Sequence, residues 1–367
     1  MRSFTVVDLG FGDAGKGATV DFLVRDKGAD LVVRFNGGAQ AAHNVVTPDG
    51  RHHTFAQLGS GSFVPGVKTH LGPRMVVDPG GLLVEAEVLS QKRVDDPLNR
   101  LSVDPGALVI TPFHLAVNRL RERLRGDGRH GSCGIGFGEA VQDEMLGLDS
   151  VHAADLAGDV RPLLRRIQAR KRAEMLEARE LPEFTALEDP DLVDGTAAMW
   201  EDWRPTLRDT LPPHRRCIYE AAQGVLIDER WGFAPHTTWS NCTFENALEL
   251  DPDTLKVGVT RAHSVRHGPG PFPTEDVDWP APDKHNGTGP WQGRVRGGPL
   301  DLELLRYALG VVEGVDLLAV TWLDRPHPSS PPDLLDRIDA VSPVGLLADG
   351  PTWRHRAWRS GWEERWA

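Results

Sequence analysis

Residues Gly10-Phe-Gly-Asp-Ala-Gly-Lys-Gly17 constrain this chain more than any other stretch. They follow an apolar run from Phe4 to Leu9 and precede a segment of helical character, Ala18 to Arg25. Gly10, Gly15 and Lys16 meet the spacing of a phosphate loop, whose backbone N–H groups and lysine cradle phosphate oxygens at a helix N-terminus. Such a loop needs a strand behind it and a helix ahead of it. The next residue is ordinarily Ser or Thr, a Mg2+ ligand. Here it is Gly17, so a metal ligand has to come from elsewhere, and Asp13 inside the loop is the candidate. A carboxylate held among phosphate-binding amides serves either a hard cation or a proton.

Further strand-like runs at Leu31–Phe35, Met75–Val77, Cys217–Glu220, Lys256–Thr260 and Asp316–Thr321 alternate with helical or glycine-rich segments, Phe113–Leu124 having helical apolar spacing. That alternation predicts an α/β fold with a mostly parallel central sheet and flanking helices. Residues Leu156–Trp203 are charged, periodic and poor in glycine, and read as a helical excursion on a single domain spanning 1–367. Their basic run Arg165–Arg172 reads as a solvated helix face. Trp353, Trp358, Trp362 and Trp366 are more aromatics than a solvated terminus needs, and are expected to pack on the body or in an interface.

A net charge of −12 argues against a general nucleic-acid or acidic-membrane binder, so anionic substrates must be met by local cations. Cys133, Cys217 and Cys242 are too few and too scattered for a disulfide framework or a zinc site. No stretch approaches a membrane span, and the chain passes from Met1-Arg2 directly into its first strand. A reducing cytoplasm is the expected setting.

Four segments together resemble adenylosuccinate synthetase, the purine enzyme family that joins aspartate to IMP at the expense of GTP. They are Gly12-Asp-Ala-Gly-Lys-Gly17, Gly37-Gly-Ala-Gln-Ala-Ala-His-Asn44, Glu220-Ala-Ala-Gln-Gly224 and Gly270-Pro-Phe-Pro-Thr-Glu275. The last is intact and highly specific; the second is weakened. The resemblance implies that a substrate oxygen is phosphorylated by the nucleotide and that an amino-acid nitrogen then displaces the phosphate. It implies Asp13 as the base that removes a ring N–H, with Lys16 and His43 at the transferring phosphoryl group. It also implies Mg2+ at Asp13 and Ala42, and nucleotide contacts from Gly12, Gly15, Lys16, Gly17, Trp322, Asp324 and Gly350. Acceptor contacts fall on Gln40, Ser132, Cys133, Gln223, Thr238 and Arg266, with Asn241 and Thr243 retained nearby, and amino-acid contacts on Arg294 and Arg296. Family members are usually homodimers, so small-molecule substrates and a second copy of the chain are the implied partners.

The departures point to an altered substrate. The family grips the acceptor's 5′-phosphate with a threonine of a Thr-Thr-Gly-Arg-Gly loop and an arginine from across the dimer. Here that loop reads Gly131-Ser-Cys-Gly-Ile-Gly136, and Asp143–Asp149 contains no arginine. A dianionic phosphate without a cation binds poorly. Asp143, Glu144 and Asp149 would add repulsion if they faced the site. The base-recognition segment is Thr321-Trp-Leu-Asp324 in place of Thr-Lys-Leu-Asp, which leaves GTP expected and ATP open. The favoured expectation is a carbon–nitrogen ligase whose acceptor is not IMP: a nucleoside, or a carboxylic acid that would become an amide. The alternatives are a housekeeping adenylosuccinate synthetase and, less favoured, a nucleotide-binding regulator without ligase activity.

Overall fold

The computed structural model describes residues 2–202, 205–280, 285 and 287–364, so Met1, Trp203 and Trp366 lie outside the described residues. Nine strands build the central sheet: β1 (Phe4–Asp8), β2 (Leu31–Arg34), β3 (Lys68–Leu71), β4 (Leu101–Val103), β5 (Cys217–Glu220), β6 (Leu255–Arg261), β7 (Leu317–Thr321), β8 (Val344–Ala348) and β9 (Arg356–Trp358). Their spatial order is β9-β8-β7-β6-β1-β5-β2-β3-β4. All neighbours are parallel except β8 and β9. Parallel sheets are covered on both faces, which is why these strands read as continuous apolar runs. Consecutive residues feed opposite sides: Phe4, Val6 and Val32 enter one apolar cluster, Val7, Leu9, Leu31 and Val33 another. Trp353, Trp358 and Trp362 pack against the first of these, so the tail returns to the body.

Helix α1 (Lys16–Lys27) follows β1, two residues longer at each end than its apolar pattern suggested. Helices α2 (Pro79–Gln91), α3 (Pro112–Leu124), α4 (Phe137–Met145) and α5 (Arg161–Glu174) lie in the stretch between β3 and β5. Within 156–202, α5 is followed by short turns and a helix at Leu192–Asp202. Leu164, Ile167, Phe184 and Trp200 of this stretch join Phe113, Val117 and Leu120 of α3 in one buried cluster.

The basic run on α5 is not only a solvated face. Arg165, Arg166 and Arg172 make exposed ion pairs, but Lys171 is fully buried and lies 2.8 Å from Asp143 Oδ1. The helical period explains it: Leu164, Ile167 and Lys171 share the inward stripe. Arg170 joins Lys171 on Asp143, and His114 Nε2 lies 3.0 Å from the same carboxylate. Asp143 therefore faces this buried network, while Asp149 pairs with Arg166 and Glu144 with His152; none lines a cavity described below. The repulsion they threatened does not arise. No described helix is long and apolar enough to cross a membrane.

Candidate active site

In parallel α/β sheets ligands gather beyond the carboxyl ends of the strands, where the strand order reverses. β1 sits between β5 and β6, and the residues singled out above follow strand ends. Asp13 and Lys16 follow β1; Gln40, Ala42 and His43 follow β2; Gln223 and Thr238 follow β5. Arg266 follows β6, Trp322 and Asp324 follow β7, and Gly350 follows β8.

The phosphate loop is held from below by Asp8, the last residue of β1, which is fully buried. Its carboxylate accepts the N–H groups of Gly10 and Ala14, both at 2.7 Å, and lies 3.1 Å from the Lys16 ammonium. From the side, Arg261 donates to the Asp13 carbonyl at 3.0 Å and Thr321 to the Ala14 carbonyl at 2.7 Å. Gly12, Asp13 and Gly15 all have positive φ, at 97°, 61° and 89°. Aspartate is among the few side chains that tolerate this region. Gly15 caps α1 without any side-chain hydrogen bond, so no side chain caps the first-turn N–H groups. Gly224 presses on the loop from β5: a Cβ there would sit 2.3 Å from the Gly10 carbonyl oxygen.

The packing also explains Gly17. A Cβ at this position would lie 2.7 Å from the His43 Cβ and 2.8 Å from the Ser60 hydroxyl. The serine or threonine of ordinary phosphate loops is excluded because His43 stands in its place. Gly17→Ser is expected to cut turnover by ~10²-fold through displacement of His43 and to destabilise the fold by about 1–3 kcal/mol. Steady-state rates and urea denaturation check both, and a variant with native turnover would mean that His43 tolerates displacement.

His43 Nδ1 lies 2.6 Å from Glu220 Oε1. Glu220, fully buried at the end of β5, also accepts the Ser60 N–H at 2.9 Å and the Ser60 hydroxyl. Burial would raise its pKa, but the hydrogen bond from His43, the Arg34 guanidinium and the Ser60 hydroxyl together bring it down to about 2. Burial pushes His43 down to about 4 against the opposing pull of Glu220. The imidazole is thus neutral in the free protein, with Nδ1–H donated to Glu220 and Nε2 left without a hydrogen.

Two more buried histidines behave alike: burial brings His70 to about 4 and His263 to about 2. Each folded value lies below the unfolded one near 6.5, so the unfolded chain binds more protons and stability falls as pH drops below that value. At pH 5 the expected loss is on the order of 2 kcal/mol per histidine relative to pH 7.5. Glu220, depressed in the fold, adds a further loss as pH falls from about 4.5 towards 2. Urea midpoints across this range test it; a flat profile from pH 7.5 to 5 would contradict the buried neutral state.

Two cavities meet at the loop. The larger, about 480 Å³, carries Gln40, Ser132, Cys133, Gln223, Thr238 and Arg266, every residue assigned to the acceptor by resemblance, together with Gly12. The smaller, about 170 Å³, carries Gly15, Gly17, Trp322, Asp324 and Gly350 from the nucleotide set. Asp13, Lys16, Ala42 and His43 line both. A phosphoryl group moving from one cavity to the other must pass these four residues. Among the described residues no group of three or more His, Cys, Asp or Glu side chains forms a metal cluster.

Several assigned side chains have other work. Arg266 is buried and donates to the carbonyls of Pro269, Pro271 and His236 while lying 4.5 Å over the Phe11 ring. Asn241 and Thr243 do not line the cavity; the Thr243 hydroxyl donates to the Asn241 side chain at 2.7 Å, and the Asn241 carbonyl accepts from Asn36 at 2.7 Å. Trp322 has Arg261 at 4.1 Å over its ring. Arg294 and Arg296 do converge on one carboxylate, but it is the chain's own Glu275, at 3.2 and 2.7 Å. They line a separate hollow with Glu275; from their segment Gln292 alone among the described residues reaches the larger cavity.

Sequence reasoning missed Asp8, Glu220 as the partner of His43, and the α3–α4 wall of the larger cavity. Helix α3 brings Arg121 and Arg125 to that wall, yet both are paired. Arg121 Nε lies 3.1 Å from Glu139 and its terminal nitrogen bonds Glu174; Arg125 lies 2.5 Å from buried Glu122.

Residues 5–327 match the family model described as Adenylosuccinate synthetase. The adenylosuccinate synthetase of Halothermothrix orenii is 32% identical over 349 residues, covering 88% of this chain and 78% of that protein. That of Methylibium petroleiphilum is 33% identical over 351 residues, covering 88% and 76%. Among solved structures, the fully ligated adenylosuccinate synthetase from Plasmodium falciparum superposes with a TM-score of 0.77 at 18% identity, over 98% of this chain and 100% of that one. The succinoaminodeoxyadenylate synthetase of cyanophage S-2L, bound to dGMP and to dATP as an energy donor, gives 0.69 at 18% identity, over 100% and 99%. The structural likeness speaks for the α/β fold and the sequence matches for the lineage. This chain belongs to the adenylosuccinate synthetase family of carbon–nitrogen ligases.

Proposed function

We propose that this ligase uses a nucleoside triphosphate, GTP by preference, to phosphorylate an oxygen of an acceptor that carries no 5′-phosphate, and then joins an amino-acid nitrogen at the same carbon. The observation that carries the reaction type is the meeting of two cavities at Asp13, Lys16, Ala42 and His43. The nucleotide base lies by Trp322 and Asp324, whose carboxylate suits the N1–H and amino group of guanine, and its phosphates lie on the uncapped N-terminus of α1 with Lys16. Asp13 takes the proton from the acceptor's ring N–H, so the neighbouring oxygen attacks the γ-phosphorus and the nucleoside diphosphate leaves. The incoming amine then attacks the activated carbon, and inorganic phosphate departs with the oxygen. Approach of the polyphosphate raises the pKa of His43, whose Nε2 then gains a proton and donates it to the transferring group, with Glu220 fixing the other nitrogen.

The donors present fit Mg2+. The Asp13 carboxylate and the Ala42 backbone carbonyl are hard oxygens at the junction, and Mg2+ is commonly held by one or two protein oxygens plus phosphates. When bound it would neutralise charge on the phosphates in transit. By analogy with the family, the working unit is a homodimer.

Charge pairing supports the phosphate-free acceptor. Arg121 and Arg125 face carboxylates, and Arg266 serves backbone carbonyls. A second reading, ordinary synthesis of adenylosuccinate from IMP, has one observation in its favour: Arg121 and Arg125 do reach the acceptor wall. The cyanophage enzyme, bound to dGMP, shows the fold holding another mononucleotide. Phosphate release with GTP or ATP, Mg2+ and aspartate decides, comparing IMP, inosine and a panel of small carboxylic acids. Activity with a phosphate-free acceptor and silence with IMP is expected; rapid turnover with IMP would return the chain to the housekeeping reaction.

A further inference from the structure

Gln40 and Glu139, which line the acceptor cavity, carry polar atoms with no hydrogen-bond partner among the described residues. Both amide atoms of Gln40, its nitrogen and its oxygen, are buried without a hydrogen-bond partner among the described residues. Burial of an unsatisfied amide is costly, and native proteins seldom leave one without a ligand to complete it. In the same cavity Glu139 is buried in the first turn of α4. Its Oε1 lies beside Arg121, whereas Oε2 has no hydrogen-bond partner among the described residues and the Lys171 ammonium stands 3.8 Å away. Gln40 comes close to the start of that helix: a Cβ on Gly38 would sit 3.0 Å from the Gln40 side-chain oxygen and 3.0 Å from the ring of Phe137, the first residue of α4, and Gln40, Phe137 and Glu139 all line the one cavity. Ser132 and Asn118 in this cavity already satisfy each other at 3.0 Å.

We propose that Gln40 and Glu139, the latter held by Arg121, form a subsite that reads an uncharged hydroxyl-bearing group, which makes the acceptor a ribonucleoside. This rests on the ligase reading above and deepens it. A hydroxyl donates to Glu139 Oε2 and accepts from the Gln40 NH2, and the Gln40 carbonyl takes a neighbouring hydroxyl. A phosphate at this place meets the Glu139 carboxylate, with the nearest guanidinium already paired to it. A small carboxylic acid would leave most of a cavity of about 480 Å³ unfilled, whereas a nucleoside spans it from the Asp13 junction to Gln40 and Glu139.

The test uses the full-length enzyme and two variants, with inosine and IMP as acceptors and aspartate as amine. Gln40→Ala, which removes no side-chain hydrogen bond among the described residues, is expected to raise KM for inosine ~10-fold with kcat little changed. Glu139→Gln is expected to raise KM for inosine and lower it for IMP, shifting the preference by ~10²-fold. If the native enzyme uses inosine and neither variant moves the ratio of KM values, this subsite is wrong while the ligase reading stands. Should the native enzyme turn over IMP and not inosine, the nucleoside assignment fails and only the family reaction survives. An enzyme that takes neither compound overturns this inference, and the phosphate-free acceptor then stands or falls with the panel of small carboxylic acids.

Discussion

Asp13→Asn is expected to lower turnover by ~10³-fold while nucleotide affinity stays within a few-fold of native. The change is nearly isosteric, and asparagine, like aspartate, tolerates a φ of 61°, so the loop keeps its shape. Asp8 rather than Asp13 ties the loop N–H groups and Lys16, and the Asp13 backbone carbonyl still accepts from Arg261. What is lost is a proton acceptor at the junction of the two cavities and an anionic oxygen for the metal. Calorimetric titration with a non-hydrolysable nucleotide, alongside single-turnover rates, separates the two effects. Equal losses of affinity and rate would make Asp13 a nucleotide-binding residue with no part in proton transfer.

Glu220→Gln has the second large expected effect. The carboxylate accepts three hydrogen bonds, from His43 Nδ1, the Ser60 N–H and the Ser60 hydroxyl, and sits with Arg34 in a fully buried setting. An amide has one oxygen for those donors and turns an NH2 group towards one of them. A stability loss of about 2–4 kcal/mol follows from an unsatisfied buried donor and an uncompensated Arg34. Turnover is expected to fall by ~10²-fold because His43 loses the bond that fixes its tautomer. Nitrogen NMR of the imidazole reads the tautomer directly. A folded variant with the native tautomer and an unchanged rate would show that Glu220 only fills space.

The sheet was legible because both of its faces are covered. Runs such as Phe4–Asp8 and Leu317–Thr321 are apolar without alternation, and short glycine-rich turns mark their ends. The phosphate loop was legible because its chemistry lies in consecutive residues. Glu220 was hidden: its role depends on β5 lying beside β2, which no local pattern reveals. Asp8 left a faint signal, a carboxylate ending an apolar strand eight residues before the loop lysine. Lys171 was misread with its basic neighbours, although its spacing from Leu164 and Ile167 already placed it inside. Arg294 and Arg296 do share one carboxylate, but it is the chain's own Glu275, which only the antiparallel hairpin of His263–His267 with Val295–Pro299 reveals.

The central claim is that a phosphoryl group crosses from the smaller cavity to an acceptor in the larger one, past Asp13, Lys16 and His43. Positional isotope exchange tests this most directly, with a heavy-oxygen label in the bridge between the β- and γ-phosphates and the acceptor present without amine. Reversible transfer frees the β-phosphate to rotate, so the label is expected to scramble in the native enzyme and to stay in place in Asp13→Asn. A native enzyme that makes product at full rate once amine is added, yet never scrambles the label beforehand, would contradict the account.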